Sequence, residues 1–208
     1  MTRDAVAATF GVSEKTARRA AKAHAAPQAA AVVAAVGDDA GRAAAGGVIK
    51  MRERGEAMSY VLWTDGCAAP TNPGPGGWAY IIVNGGAERV GSGGEAWSTN
   101  NRMEMLAAIR GLEAIPASSM VQVRSDSTYL INGATQWMSA WRKRGWMTKA
   151  KEPVRNQDLW VALDRAMRRH AGVGWEKVKG HAGVVLNERC DRLAAQAALA
   201  AAAAMGTA

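Results

Sequence analysis

Aromatic residues are confined to one part of this chain, and that confinement limits where a core can form. All eight Trp and all three Tyr lie after residue 58, and Phe10 is the only aromatic before it. Aromatic side chains bury large areas and dominate packing, so the main core is expected from Ser59 to Ala204. Of the first 58 residues about one in three is Ala. Residues 1–24 are expected to form a small helical unit, residues 25–58 an Ala/Gly-rich linker, and residues 59–204 the main domain. A length of 208 residues suits one domain with an appendage.

Within the main domain the pattern begins with strands. Tyr60 to Trp63 is a short run of β-formers, CAAPTNPGPGG is dense in turn residues, and Trp78 to Val83 reads as a second strand. Gly85-Gly86 supplies a hairpin turn, with Glu88 to Gly93 returning as a third strand. Met103 to Ile115 has apolar residues at helical spacing and ends at Pro116. Val121 and Val123 mark a fourth strand running into Ser125-Asp126, with a short helix through Leu130. Asp158 to His170 is predicted as a second long helix, Val173 to Val178 as a fifth strand, and Glu188 to Ala204 as an Ala-rich terminal helix. Hairpin-linked strands followed by helices alternating with strands predict an α/β fold with a mixed sheet.

Four acids occupy places that apolar residues would normally take. Asp65 follows the first strand, Glu104 lies in the first turn of an apolar helix, Asp126 follows the fourth strand, and Asp191 falls in the first turns of the last helix. Strand ends and helix starts border clefts in α/β sheets. Carboxylates gathered there would repel one another unless cations neutralise them, and hard divalent ions prefer oxygen ligands. Each acid taken alone is equally a turn or cap residue, a first-turn acid favoured by the helix dipole, or part of a solvated face.

The words around those acids carry more information than their spacing. TDG at 64–66, NPGPGGWA at 72–79, TNNRMEM at 99–105, SDSTYL at 125–130, TQWMSAWRKRGW at 135–146, NQDLW at 156–160, WEKVKGHAG at 175–183 and NERCDRLA at 187–194 stand in one order. In this the sequence resembles the type 1 ribonuclease H family, over about residues 59 to 200. The resemblance implies a ribonuclease H-like five-stranded mixed sheet, three antiparallel strands then two parallel, flanked by helices. It implies that Asp65, Glu104, Asp126 and Asp191 are metal-binding catalytic acids, served by two Mg²⁺ ions for which Mn²⁺ can substitute. By the same resemblance His181, in a loop near the metals, assists proton transfer or product release, a task suited to an imidazole. Asn187 and Glu188 are expected to begin the last helix, capping it or shaping the site entrance.

The resemblance also assigns substrate contacts. Asn72 and Asn100 would lie near RNA 2′-hydroxyls, Thr99 would help hold a DNA phosphate, and Asn101 lines the same groove. Thr128 stands where many bacterial members carry Gln, and CAAPT before Asn72 has one residue more than is common. Residues 136–153 hold three Trp and five Lys or Arg against one Glu. Without context this is an amphipathic surface helix. By resemblance it is the basic protrusion that grips the DNA strand, with Arg142, Lys143 and Arg144 on phosphates and Trp137, Trp141 and Trp146 partly packing and partly touching sugars.

Net charge supports an anionic partner: 26 basic against 18 acidic residues gives +8, with pI near 9.9. Two cysteines, Cys67 and Cys190, form no CxxC pair, which argues against a zinc module or a disulfide scaffold. The eight-residue apolar run Ala29 to Val36 is too short for a membrane span, and no secretory segment is evident, so a cytoplasmic protein is expected. Near the start, VAATFGVSEKTARR at 6–19 is patterned like a helix-turn-helix, with Gly11 at the turn and Ser13 as cap. Arg18, Arg19 and Lys22 would then face duplex DNA; the competing reading is a basic helical arm without sequence preference. The leading expectation is a monomeric endoribonuclease that cuts the RNA strand of RNA–DNA hybrids, leaving 5′-phosphate and 3′-hydroxyl ends. Its rivals are a DNA-binding regulator that uses the nuclease domain as a hybrid sensor, and a domain taken from a reverse transcriptase.

Overall fold

The computed structural model describes residues 59–180 and 182–206. The helix-turn-helix-like unit with Arg18, Arg19 and Lys22, the linker and His181 lie outside the described residues.

Five strands form one sheet. They are β1 (Ser59–Ala68), β2 (Gly74–Asn84), β3 (Ala87–Ser98), β4 (Met120–Ser125) and β5 (Gly172–Lys177), ordered β3-β2-β1-β4-β5. β1–β2 and β2–β3 are antiparallel, whereas β1–β4 and β4–β5 are parallel. The expected mixed sheet is therefore present, three antiparallel strands then two parallel. Helices α1 (Asn100–Ala114), α2 (Thr128–Asn132), α3 (Met138–Lys143), α4 (Gln157–Met167) and α5 (Val185–Gly206) complete the domain.

The sheet is covered on both faces, and its central strand shows it. Leu62, Trp63, Thr64 and Asp65 of β1 are all buried in succession, the signature of a strand enclosed on two sides. Leu62 joins Ile82, Met103, Leu112, Val123, Trp160 and Leu163 in the larger core, beneath α1 and α4. Trp63 joins Ile81 and Cys190 in a smaller one beneath α5. The hairpin joining β2 to β3 has φ of 57° at Gly85 and 89° at Gly86, a turn that glycine enters without Cβ strain.

Several boundaries differ from the sequence expectation, for reasons of tertiary pairing. Asp65 does not follow β1 but lies inside it, because Asp65, Gly66, Cys67 and Ala68 pair with Ala79, Trp78, Gly77 and Gly76. The turn-rich stretch shrinks accordingly to residues 69–73. Helix α1 starts at Asn100, capped by the Thr99 hydroxyl, so Glu104 sits in the second turn and not the first. Helix α5 starts at Val185, earlier than Glu188, so Asn187 and Glu188 lie inside its first turn. Residues 136–153 are not one amphipathic helix: a π-helical turn (Gly133–Trp137) leads into the short α3, followed by turns.

Candidate active site

Close backbone packing brings the first two acids together. A Cβ on Gly66 would lie 2.3 Å from the carbonyl carbon of Met103 and 2.4 Å from the nitrogen of Glu104. Only a residue without a side chain lets α1 rest its second turn directly on β1, next to Asp65. Asp126 stands just past the end of β4, the parallel neighbour of β1, and Asp191 comes from the second turn of α5 on the opposite face. Four elements thus contribute one acid each.

The acids are near enough to feel one another. Burial pushes the Asp65 carboxyl up to about 7, and the charges of Asp126, Asp191 and Glu104 add to that rise against a hydrogen bond from the Gly66 N–H at 2.7 Å. Glu104 is also pushed up to about 7, chiefly by burial and further by Asp126; the Ser127 hydroxyl donates to its Oε2 and opposes the rise. Asp126 Oδ2 accepts a hydrogen bond from Asn187 Nδ2 at 3.1 Å. Among the described residues no group of three or more His, Cys, Asp or Glu already stands as a ready ligand cage. The donor chemistry of the four acids nevertheless suits a hard divalent cation: all four are carboxylates, the two nearby thiols are held protonated by burial, and mutual repulsion is the cost such a charge would remove.

Around the acids, several expected contact residues carry structural duties. Asn100 Oδ1 accepts the Ala68 N–H at 2.7 Å, and the Asn100 N–H donates to Asn72 Oδ1 at 3.3 Å. Asn72 and Asn100 therefore meet, beside the end of β1. Thr99 caps α1, Asn101 is half-buried in its first turn, and Thr128 is exposed at the start of α2. Neither cysteine is paired; burial raises both thiols above their ordinary range, which leaves them poor nucleophiles.

In the basic segment the tryptophans form a chain of ring contacts. Trp137 meets Trp141 at 5.6 Å between centroids, Trp141 meets the buried Trp160 at 5.4 Å, and Tyr129 touches both Trp137 and Trp160. Trp146 also packs against the core. Gln136, Trp137, Ala140, Trp141 and Arg144 line a shallow depression. The three basic residues differ in role. Arg142 is paired with Asp164 at 2.8 Å, and Arg144 Nε donates to the Met147 carbonyl, while Lys143 is exposed and has no ion pair among the described residues.

Some partners of the site escaped the sequence reading. Ser127, which holds Glu104, lies in a recognised word but gives no signal of its aim. Arg102 makes a two-pronged bond to Asp158, at 3.0 and 2.7 Å, that ties α1 to α4; nothing in sequence spacing joins residues 56 apart.

Comparison with known proteins is consistent with this geometry. The family model for RNase H matches residues 57–199. A ribonuclease H of Phenylobacterium zucineum is 51% identical over 144 residues, covering 69% of this chain and 93% of that protein. One from Pseudomonas fluorescens is 54% identical over 136 residues, covering 65% and 88%. Among solved structures, LC9-RNase H1, described as a type 1 RNase H with the type 2 active-site motif, superposes with a TM-score of 0.61 at 30% identity, covering 71% of this chain and 75% of that one. LC11-RNase H1, solved in complex with RNA/DNA hybrid, gives a TM-score of 0.52 at 25% identity, covering 68% and 98%.

Proposed function

This chain belongs to the RNase H family, and from that premise we propose that Asp65, Glu104, Asp126 and Asp191 are the acids with which it hydrolyses the RNA strand of RNA–DNA hybrids. The observation that carries the assignment is the convergence of four acids from four elements, with Asp65 and Glu104 both held near 7 in an interior that disfavours their charge. Two Mg²⁺ ions, or Mn²⁺ in their place, would be held by these carboxylates and would supply positive charge to activate the attacking water and stabilise the leaving oxygen.

The protein's own groups do the rest. Ser127 donates a hydrogen bond to Glu104, and Asn187 donates one to Asp126. Asn72 and Asn100 present amides at the end of β1, where a 2′-hydroxyl can be read; only RNA offers that group. Thr99 caps α1, Asn101 lies in its first turn and Thr128 sits at the exposed start of α2, where each would line the groove for the hybrid. Lys143 and Arg144 meet phosphates of the DNA strand, with Trp137 and Trp141 as an apolar floor beside them. Arg142 reaches a phosphate only while also serving Asp164, and Trp146 packs more than it binds. His181 would move a proton between the reacting phosphate and solvent. Residues 1–24 would add contacts to duplex DNA through Arg18, Arg19 and Lys22, raising local affinity by tethering. The protein would act as a monomer in the cytoplasm, where RNA is made on DNA templates. Among the described residues no helix is long and apolar enough to cross a membrane.

A panel of end-labelled duplexes tests the assignment. The expected result is cutting confined to the RNA of an RNA–DNA hybrid, yielding 5′-phosphate and 3′-hydroxyl ends. Equal cutting of double-stranded RNA would contradict it.

A further inference from the structure

One oxygen of Asp126 is enclosed from two directions. Asp126 Oδ2 accepts the Nδ2–H of Asn187 at 3.1 Å, across 61 residues of sequence. A Cβ placed on Gly180 would lie 2.6 Å from that same oxygen. The loop between β5 and α5, which carries Gly180, and the first turn of α5 therefore close on a single atom.

Asn187 itself is oddly provided for. It is only 2% exposed, and its Oδ1 is buried with no hydrogen-bond partner. The amide orientation follows from chemistry, since a carboxylate oxygen accepts and the NH₂ group must be the end that faces it. Leu has the same branched shape and would fill this space without an orphaned oxygen. Burying a half-satisfied amide costs stability, so packing does not account for it. What the amide supplies is one donor, aimed at Asp126. That carboxylate is also the one whose charge acts on both Asp65 and Glu104.

We propose that Asn187 is a positioning residue for the hydrolytic reaction: with Gly180 it seats one oxygen of Asp126 and so fixes how that carboxylate faces the other acids. The inference rests on the reading of Asp126 as a member of the catalytic set. Asn187 touches no substrate in this role. It acts through the orientation of Asp126, as a hydrogen-bonded partner acts on a ligating carboxylate.

The test uses the full chain and its variants Asn187→Leu, Gly180→Ala and Asp126→Asn. Three quantities are measured: kcat and KM on a hybrid with Mg²⁺, the melting temperature without metal, and the rise in that temperature when Mg²⁺ is added without substrate. Asn187→Leu is expected to lower kcat by about 10–100-fold with KM little changed. Its metal-free melting temperature should equal or exceed the parent's, and its Mg²⁺-induced rise should shrink. Gly180→Ala, which crowds the same oxygen from the other side, should move kcat and the Mg²⁺ response in the same direction. A parental kcat and Mg²⁺ response in Asn187→Leu would overturn the proposal. So would a loss of activity matched by a fallen metal-free melting temperature, because that is what a purely structural residue would give. Asp126→Asn separates the two levels of the argument. If it cuts like the parent, the catalytic reading of Asp126 fails; if it is inactive while Asn187→Leu is parental, the positioning role alone fails.

Discussion

Asp65 is held where ionisation is costly, and the consequence is visible without any substrate. Its folded carboxyl sits at about 7 against an ordinary value of 3.8, raised first by burial and then by Asp126. Between those two values the native state keeps a proton that the unfolded chain has already lost, so stability falls as pH rises through that window and levels off above 7. Glu104 adds to the same slope, from 4.5 to about 7. Metal-free protein should therefore melt several degrees lower at pH 8 than at pH 5, and Asp65→Asn should flatten that fall and raise the metal-free melting temperature at pH 8. A melting temperature that climbs from pH 5 to pH 8 in the parent would contradict the burial and repulsion described. Added Mg²⁺ should flatten that fall, because the ion displaces the protons held on the same oxygens; Mg²⁺ should bind more weakly at pH 6 than at pH 8 by titration calorimetry. The acids themselves were legible in the sequence because each sits in a distinctive word. Ser127 and Asn187 were not legible as their partners, because a hydrogen bond spanning 23 or 61 residues leaves no local trace.

Elements position these residues through a few points of very close approach. Gly66 lets α1 lie on β1, and Gly77 does the same for α5 on β2: a Cβ there would stand 2.0 Å from the Ala194 carbonyl oxygen and 2.4 Å from the Ala198 nitrogen. Backbone cannot yield as a flexible side chain can. Gly77→Ala should therefore cost about 1–3 kcal/mol by overpacking and, by shifting the helix that carries Asp191, reduce activity as well; denaturant unfolding measures the first and hybrid cleavage the second. The kinds and order of elements were legible from periodicity and turn residues, and Pro116 does stop α1 near where it was expected. Their ends were harder. DGCA has no strand-forming pattern, yet cross-strand pairing with β2 carries β1 through Ala68. The π-helical turn at Gly133–Trp137 lies beside Trp160, whose ring would be 1.9 Å from a Cβ on Gly133. A packing partner 27 residues away sets that irregularity.

At the scale of the whole molecule, charge decides how the protein meets its substrate. The net charge of +8 favours a polyanion, and hybrid affinity should fall steeply with added salt. Lys143→Ala is expected to reduce the slope of log affinity against log salt by about 1, whereas Arg142→Ala should also lower stability, since it removes a cation from the poorly exposed Asp164. Deleting residues 1–58 should leave turnover of a short hybrid near that of the full chain and weaken binding to long DNA-containing substrates. Loss of turnover on that deletion would favour the DNA-binding regulator instead. The most direct measurement remains cleavage of a labelled RNA–DNA hybrid by the parent and by Asp126→Asn, with Mg²⁺ and with chelator. The structure and its relatives lead us to expect cutting of the RNA strand by the parent with Mg²⁺ alone, and a fall of roughly a thousandfold or more in the variant. Undiminished cutting by Asp126→Asn, or no cutting by a parent that still binds the hybrid, would contradict the account.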